Sequence, residues 1–210
     1  MIDAVNAWSA SRRSIPELRF VNRYHDDRGY VQALAQRIQR HWTDHGRGEH
    51  LVMSFHGVPE RTLRLGDPYH CECRKTARLL AEALDLNASQ YTVSFQSRFG
   101  KAKWLEPYTE TTLQALARGG ARRVDVVCPG FTSDCLETLE EIAQEGRDAF
   151  LAAGGRSFHY IPCLNDDTAW IHALGAIAQQ HLAGWPTQAA PDAQALKAQQ
   201  ERAMALGARR

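Results

Sequence analysis

Apolar, strand-forming runs recur along this chain, each followed by a stretch with helical periodicity, and this alternation narrows the available folds more than any other feature. The runs lie at Leu18 to Asn22, Leu51 to Phe55, Tyr91 to Phe95, Val124 to Cys128 and Ser157 to Ile161. Apolar residues at helical spacing follow in Tyr30-Val31-Leu34-Ala35-Ile38, Leu79-Leu80-Ala83-Leu84, Leu113-Leu116-Ala117, Leu136-Leu139-Ile142-Ala143 and Ile171-Leu174-Ile177-Ala178. A period of roughly 30 to 40 residues per strand and helix specifies βαβ units, hence an α/β fold with a doubly wound, Rossmann-like parallel sheet. The Gly119-Gly120 and Gly154-Gly155 pairs stand where helices should stop before the next strand. We expect one α/β domain over residues 1–184. Past Trp185-Pro186 the character changes, and residues 185–210 form an Ala- and Gln-rich tail, either a loosely packed helix or partly disordered. The first helical stretch, Ile2 to Ser9, has no strand ahead of it, so an earlier half of the fold is expected to be missing.

Composition excludes several classes of function. With 25 basic and 24 acidic residues the formal net charge is +1, so no global field draws the chain to nucleic acid. Five cysteines at irregular spacing, Cys71, Cys73, Cys128, Cys135 and Cys163, do not form a disulfide framework and favour a reducing compartment, which we read as the cytoplasm. No apolar run approaches the roughly 20 residues of a membrane-spanning helix, which leaves room only for peripheral membrane contact. His70-Cys71-Glu72-Cys73 offers thiol and imidazole ligands, but a closed zinc site needs four and no second pair exists. The chain lacks a P-loop, a Gly-x-Ser-x-Gly elbow and a dinucleotide-binding glycine fingerprint.

Two groups at expected strand ends carry chemistry. In an open α/β sheet, ligands bind outside the carboxyl ends of the strands, so His56 and Glu137 can share one crevice although about eighty positions separate them. His56 lies in Ser54-Phe55-His56-Gly57-Val58-Pro59, where Gly57 and Pro59 impose a sharp exit. A lone histidine is commonly a structural hydrogen-bonding residue, and its place at the strand tip favours the functional reading, as proton acceptor or ligand of a borderline metal such as Fe²⁺. Glu137 follows Asp134 at capping-box spacing, so it also reads as a helix cap. Glu137, Glu141 and Glu145 recur at i, i+4 and i+8. That stripe is either a solvated face or a carboxylate ladder that passes protons outward and hydrated metal ions inward. The third expected strand exits into Gln96-Ser97-Arg98-Phe99-Gly100-Lys101-Ala102-Lys103-Trp104, an aromatic and basic loop suited to a planar ligand bearing carboxylates, to nucleotide phosphates, or to nothing but solvent.

Ser54-Phe55-His56-Gly57-Val58-Pro59, Gln96-Ser97-Arg98-Phe99-Gly100 with Trp104-Leu105, and Cys128 through Glu141 together resemble the ferrochelatases, enzymes that insert Fe²⁺ into protoporphyrin IX to make protohaem. The resemblance runs from about Ile2 to about His181 and implies a chelatase-like α/β fold that holds the porphyrin in a cleft. It matches His56 to the catalytic histidine, Glu137 to its acidic partner and Glu141 to the next carboxylate, with all three as metal-guiding groups. It implies substrate contacts from Phe55, Gln96, Ser97, Arg98, Phe99 and Trp104, with Arg98 meeting a propionate. Fe²⁺ enters as substrate, no resident cofactor is needed, and no iron–sulfur cluster is expected because the tail after His181 has no cysteine. The resemblance covers the carboxyl-terminal half of a ferrochelatase, so the expected partners are protoporphyrin IX, ferrous iron and the missing amino-terminal half, and activity of this piece alone is expected to be weak. The alternatives are a chelatase for another tetrapyrrole or metal, and a porphyrin-binding piece without catalysis.

Overall fold

The structure, a computed structural model, describes residues 2–185 and 192–209. Its sheet has four parallel strands, β1 (His50–His56), β2 (Tyr91–Gln96), β3 (Arg123–Val127) and β4 (Ser157–Ile161), in the order β2-β1-β3-β4. The helices are α1 (Ile2–Ala10), α2 (Arg28–His45), α3 (Glu60–Arg64), α4 (Tyr69–Ala83), α5 (Thr109–Arg118), α6 (Leu136–Leu139), α7 (Arg147–Ala152), α8 (Thr168–His181) and α9 (Ala193–Ala205), with a π-helical turn, Glu141–Gly146, between α6 and α7. The chain divides into two compact units, Met1–Ile177 and Ala178–Arg210. In the second, Asp192 caps α9 by accepting from the Gln194 N–H at 2.9 Å, and no α9 side chain is buried. Part of the expected tail, residues 186–191, lies outside the described residues.

Period-2 alternation puts a core on each face of the sheet. Leu51, Met53 and Phe55 of β1, with Val93 and Phe95 of β2, pack beneath α2, α4 and Trp170 of α8. Val52, Val124 and Val126 face the other way, against Leu113 of α5, Ile142 of the π turn and Phe150 of α7. Helices on both faces are what a right-handed crossover gives when the chain steps first to one side of β1 and then to the other. Burying a Leu- or Phe-sized side chain contributes about 1.5–3 kcal/mol, so these two layers supply the main driving force.

The ends of α2 follow its sequence. Asp27 Oδ1 accepts from the Tyr30 N–H at 3.0 Å, and Gly46, at φ 79°, turns the chain off the helix while its N–H donates to the Trp42 carbonyl at 2.9 Å. Gly120 and Gly154, the second and first members of the two glycine pairs, take φ of 100° and 108° just after α5 and α7.

Two expectations change. Leu18 to Asn22 is not a strand. Leu18, Phe20 and Val21 stay exposed, and this run has no ladder partner among the described residues, so neither burial nor hydrogen bonding favours an extended pair. The segment after it is instead held to α4 by Arg23 Nε on Glu72 Oε1 at 2.6 Å and by Thr76 Oγ1 donating to the His25 carbonyl at 2.7 Å. The expected helix over residues 136–143 is also interrupted. The Glu145 N–H donates to the Glu140 carbonyl at 2.9 Å, an i to i−5 bond that widens the turn.

Gly155 has space for no side chain, since a Cβ there would sit 2.1 Å from Cε1 of the fully buried Phe150 ring. Gly155→Ala is expected to cost about 1–3 kcal/mol by overpacking, read as a lowered urea midpoint with an unchanged slope.

Candidate active site at the strand tips

The sheet order places a topological switch between β1 and β3, because the chain leaves β1 toward β2 and returns to β3 on the opposite side. His56 is the last residue of β1, and the Cys128-Pro129-Gly130 turn leaves β3 beside it. The His56 ring is half-buried between Trp104 and Phe131, with ring centroids 6.3 and 6.1 Å away. Its Nδ1 lies 2.6 Å from the Gly57 carbonyl, which can only accept, so Nδ1 carries a proton and Nε2 is the lone-pair nitrogen. The Tyr69 hydroxyl donates to the His56 carbonyl at 2.9 Å and fixes the backbone at the tip. Gly57 is required by close approach, since a Cβ there would sit 2.8 Å from the Gln96 carbonyl and 3.1 Å from Trp104.

Gln96 pairs with His56 in register at the end of β2 and is buried. Its Nε2 donates to the Glu137 carbonyl at 2.5 Å and to Glu141 Oε2 at 3.3 Å, so one amide ties the β2 tip to the helix that follows β3. Ser97 adds its N–H to Glu141 Oε1 and its hydroxyl to Oε2, both at 2.6 Å. To aim both donors at one carboxylate, Ser97 adopts φ 63°, a left-handed conformation that costs a non-glycine residue about 1–3 kcal/mol.

Glu137 itself is exposed on the first turn of α6. The Cys135 thiol and its own backbone N–H hold its carboxyl below the usual carboxylate range, and the charge of His56 contributes further. Burial and the Glu137 carboxylate push the Cys135 thiol up, so it stays a protonated donor. The Glu137 carboxyl on α6 therefore lies within electrostatic reach of the His56 imidazole at the switch point. Together they can accept protons and can ligate a borderline divalent ion.

The other sequence-selected residues separate into groups. Glu141, Glu145, Gln96, Ser97 and Arg98 line a cavity of about 710 Å³, within the range of small-molecule sites, whereas His56 and Glu137 are not on its lining. Phe99 is 84% exposed, and the Arg98 guanidinium stacks over Tyr108 at 5.1 Å. Phe55 is buried on the opposite face of the sheet, 6.5 Å from the Phe95 ring, and so does not share the surface that His56 presents. The four side chains of the His70 to Cys73 run diverge. His70 stacks on Phe95, Cys71 is exposed, Glu72 pairs with Arg23, and burial pushes the thiol of Cys73 up to about 12.

Sequence reasoning did not single out the polar layer beneath the tips. Ser54 Oγ donates to Gln96 Oε1 at 2.8 Å and meets Thr109 Oγ1 at 2.7 Å, Ser94 meets the same Thr109 oxygen at 2.9 Å, and Cys128 Sγ contacts Gln96 Oε1 at 3.4 Å. The signal was present, since Ser54 and Ser94 interrupt otherwise apolar strands at the same period-2 position. The Asp134 to Glu137 capping box is also corrected. Cys135 is the N-cap, and its N–H donates to Thr138 Oγ1 at 3.0 Å. Asp134 instead joins the loops after β3 and β4, accepting from Asn165 Nδ2 at 2.7 Å and from the Tyr160 hydroxyl at 2.5 Å.

Burial opposes ionisation of Asp134, but the hydrogen bonds from Asn165, Tyr160 and Cys163 outweigh it and hold its carboxyl below its ordinary 3.8. The folded chain therefore binds this proton more weakly than the unfolded one. The resulting stabilisation is complete above the unfolded value and is lost as pH falls through the depressed folded value. Asp134→Asn is expected to lower stability at neutral pH and to shrink the further fall in urea midpoint between about pH 5 and about pH 3.

The Ferrochelatase family model matches residues 1–182. Over 208 residues, 99% of this chain, the sequence is 70% identical to a ferrochelatase of Methylibium petroleiphilum, of which it covers 57%. It is 66% identical over its whole length to a ferrochelatase of a Polaromonas species, again covering 57% of that protein, and 55% identical to one of Dechloromonas aromatica, covering 58%. The chain thus spans less than two thirds of the curated relatives it matches. With the family model matched over residues 1–182 and these identities across nearly the whole chain, the chain belongs to the ferrochelatase family.

Proposed function

We propose that this chain supplies the proton-accepting and metal-guiding wall of an enzyme that inserts Fe²⁺ into protoporphyrin IX, forming protohaem and releasing two protons. The observation that carries this reading is the Gln96 amide, which ties the strand tip bearing His56 to the backbone of Glu137 and the carboxylate of Glu141. Insertion requires removal of two pyrrole protons and exchange of the water shell of Fe²⁺ for four ring nitrogens. His56 Nε2 takes a pyrrole proton and serves as a transient iron ligand, and ionised Glu137 shares both tasks. Glu141 extends the path toward solvent. Trp104 and Phe99 wall the macrocycle, and Arg98 meets a propionate. Gln96 and Ser97 act by holding Glu137 and Glu141 in place, and Phe55 supports the β1 tip from the opposite face.

Fe²⁺ is substrate here, and the reaction needs no resident cofactor. The five cysteines are free thiols. Free thiols support a reducing compartment, the cytoplasm. The formal charge of +1 gives no basis for binding nucleic acid. Among the described residues no helix is long and apolar enough to cross a membrane, and peripheral contact with a membrane is compatible with the fold. The part of the relatives that this chain does not span supplies the opposing wall of the cleft.

Anaerobic mixing of Fe²⁺ and protoporphyrin with the chain extended to the length of its relatives is expected to yield haem. The 210-residue chain alone is expected to yield little. In the extended protein, His56→Ala is expected to lower the insertion rate by about 10²–10⁴-fold, the range of a lost general base, with the circular dichroism unchanged. A rate near that of the unsubstituted protein would remove the histidine from the mechanism. Glu137→Gln is expected to cut turnover severely while a Soret shift on titration shows porphyrin still bound, whereas undiminished turnover would reduce Glu137 to a helix-end residue. Efficient insertion of Co²⁺ but not Fe²⁺ would assign the chain to a different chelatase.

A further inference from the structure

Away from the strand tips, a second group of ligand-type side chains meets on the face of the sheet beneath α2. Asp125 and His159 are register partners on β3 and β4, and His41 comes down from α2. One ligand atom from each of the three lies within 4.8 Å of the others. His45 follows His41 at i+4, with its ring centroid 4.6 Å from His41 and 6.1 Å from His159. Two imidazoles at that helical spacing share one face, an arrangement suited to metal ligation.

The hydrogen bonding of this cluster is incomplete. Asp125 is 1% exposed. Its Oδ2 accepts from Trp42 Nε1 and from the Gly48 N–H, both at 2.7 Å, while Oδ1 accepts from no donor. His41 Nε2 is likewise buried without a partner. A buried carboxylate oxygen and a buried imidazole nitrogen without a hydrogen bond cost about 1–3 kcal/mol each, and a ligand bridging the two would remove that cost. Arg123 does not fill this role. Its terminal nitrogens are committed to the carbonyls of His45 and Gly46, and its Nε forms an ion pair with Oδ1 at 3.6 Å that balances charge without supplying a hydrogen bond.

We propose that His41, Asp125 and His159 form a binding site for a borderline divalent transition-metal ion of the Zn²⁺ or Co²⁺ type, separate from the strand-tip groups. Two imidazoles and a carboxylate are a donor set such ions favour, and three protein ligands leave a fourth position for water or for His45. Ligands on one ion at 2.0–2.1 Å stand about 3.4 Å apart in tetrahedral geometry, so small rotations of the imidazoles close the site. A neighbouring cavity of about 320 Å³, lined by Arg37, Arg40, His41, Asp44, His45 and Tyr160, provides the entry path. Bound there, the ion pins α2 to β3 and β4.

The test uses the 210-residue chain carrying His56→Ala and Glu137→Gln, so that the strand-tip groups do not compete. One equivalent of Co²⁺ is expected to bind, with the intense visible absorption of an imidazole-ligated ion below six-coordination, and Zn²⁺ is expected to displace it. Adding His159→Gln or His41→Gln is expected to weaken binding by at least about 10-fold, the lower bound for losing even an outer-shell partner. Circular dichroism and thermal melts in chelator show whether each variant folds as its parent does. Both histidines are half-buried, so neither replacement opens a core cavity. Absence of Co²⁺ binding in the starting variant, a weak six-coordinate spectrum, or an affinity unmoved by both histidine substitutions would overturn the site. An ion held instead by Glu110, Glu141 and Glu145, which line the cavity of about 710 Å³, gives those last two results.

Discussion

One buried amide holds the strand-tip site together. A side-chain amide out of water must satisfy an acceptor and two donors, and Gln96 does so with groups from β1, the turn after β3, α6 and the π turn. Its oxygen takes the Ser54 hydroxyl of β1 and faces the Cys128 thiol beyond β3, while its nitrogen donates to Glu137 and Glu141. In a medium of low polarity each of those bonds is expensive to leave unmade. The sheet fixes Gln96 opposite His56, so the position of Glu137 relative to the imidazole follows from the ladder and not from a flexible loop.

The sequence made the sheet legible because the signals there are local. Four of the five strand runs fall on observed strands, and the helical runs fall on observed helices except the one over residues 136–143, which the π turn interrupts, since alternation and helical period report directly on which face a residue buries. Leu18 to Asn22 carried the same local signal, but a strand also needs a partner, and partnership is a property of the whole fold. The capping box failed for a related reason. Asp134 has the spacing to cap, but Asn165 and Tyr160, about thirty positions away, compete for its carboxylate and win. Local side-chain to backbone bonds are worth about 1 kcal/mol and yield readily to a set of tertiary ones.

The glutamate stripe shows what periodicity can and cannot give. Its three members do share one helical segment, as the spacing requires. Their environments differ: Glu137 lies in solvent beside a thiol, Glu141 is clamped by Ser97, and Glu145 opens onto the large cavity. The π turn takes in the second and third of them, and nothing in the residue pattern announces it. It begins at Glu141, where Ser97 takes its left-handed conformation, so two backbone irregularities meet at one carboxylate. Strain concentrated at such a point persists when surrounding contacts over-determine it, which here are the Gln96 and Ser97 bonds and the packing of Ile142 and Gly146.

The tautomer of His56 links this rigidity to chemistry. Because the Gly57 carbonyl fixes the proton on Nδ1, any proton the ring accepts must arrive at Nε2, and the imidazolium so formed keeps the bond that orients it. Gly57 can play that part only because it lacks a side chain, which lets its N–H approach the Gln96 carbonyl to 2.8 Å and leaves the Trp104 ring against it. The same few residues therefore set the ring's tautomer, its outlook and its distance from the neighbouring strand. An imidazole held this way gains or loses a proton, or a metal ion, without rearranging what surrounds it, so the reorganisation cost of each transfer falls mainly on the substrate side.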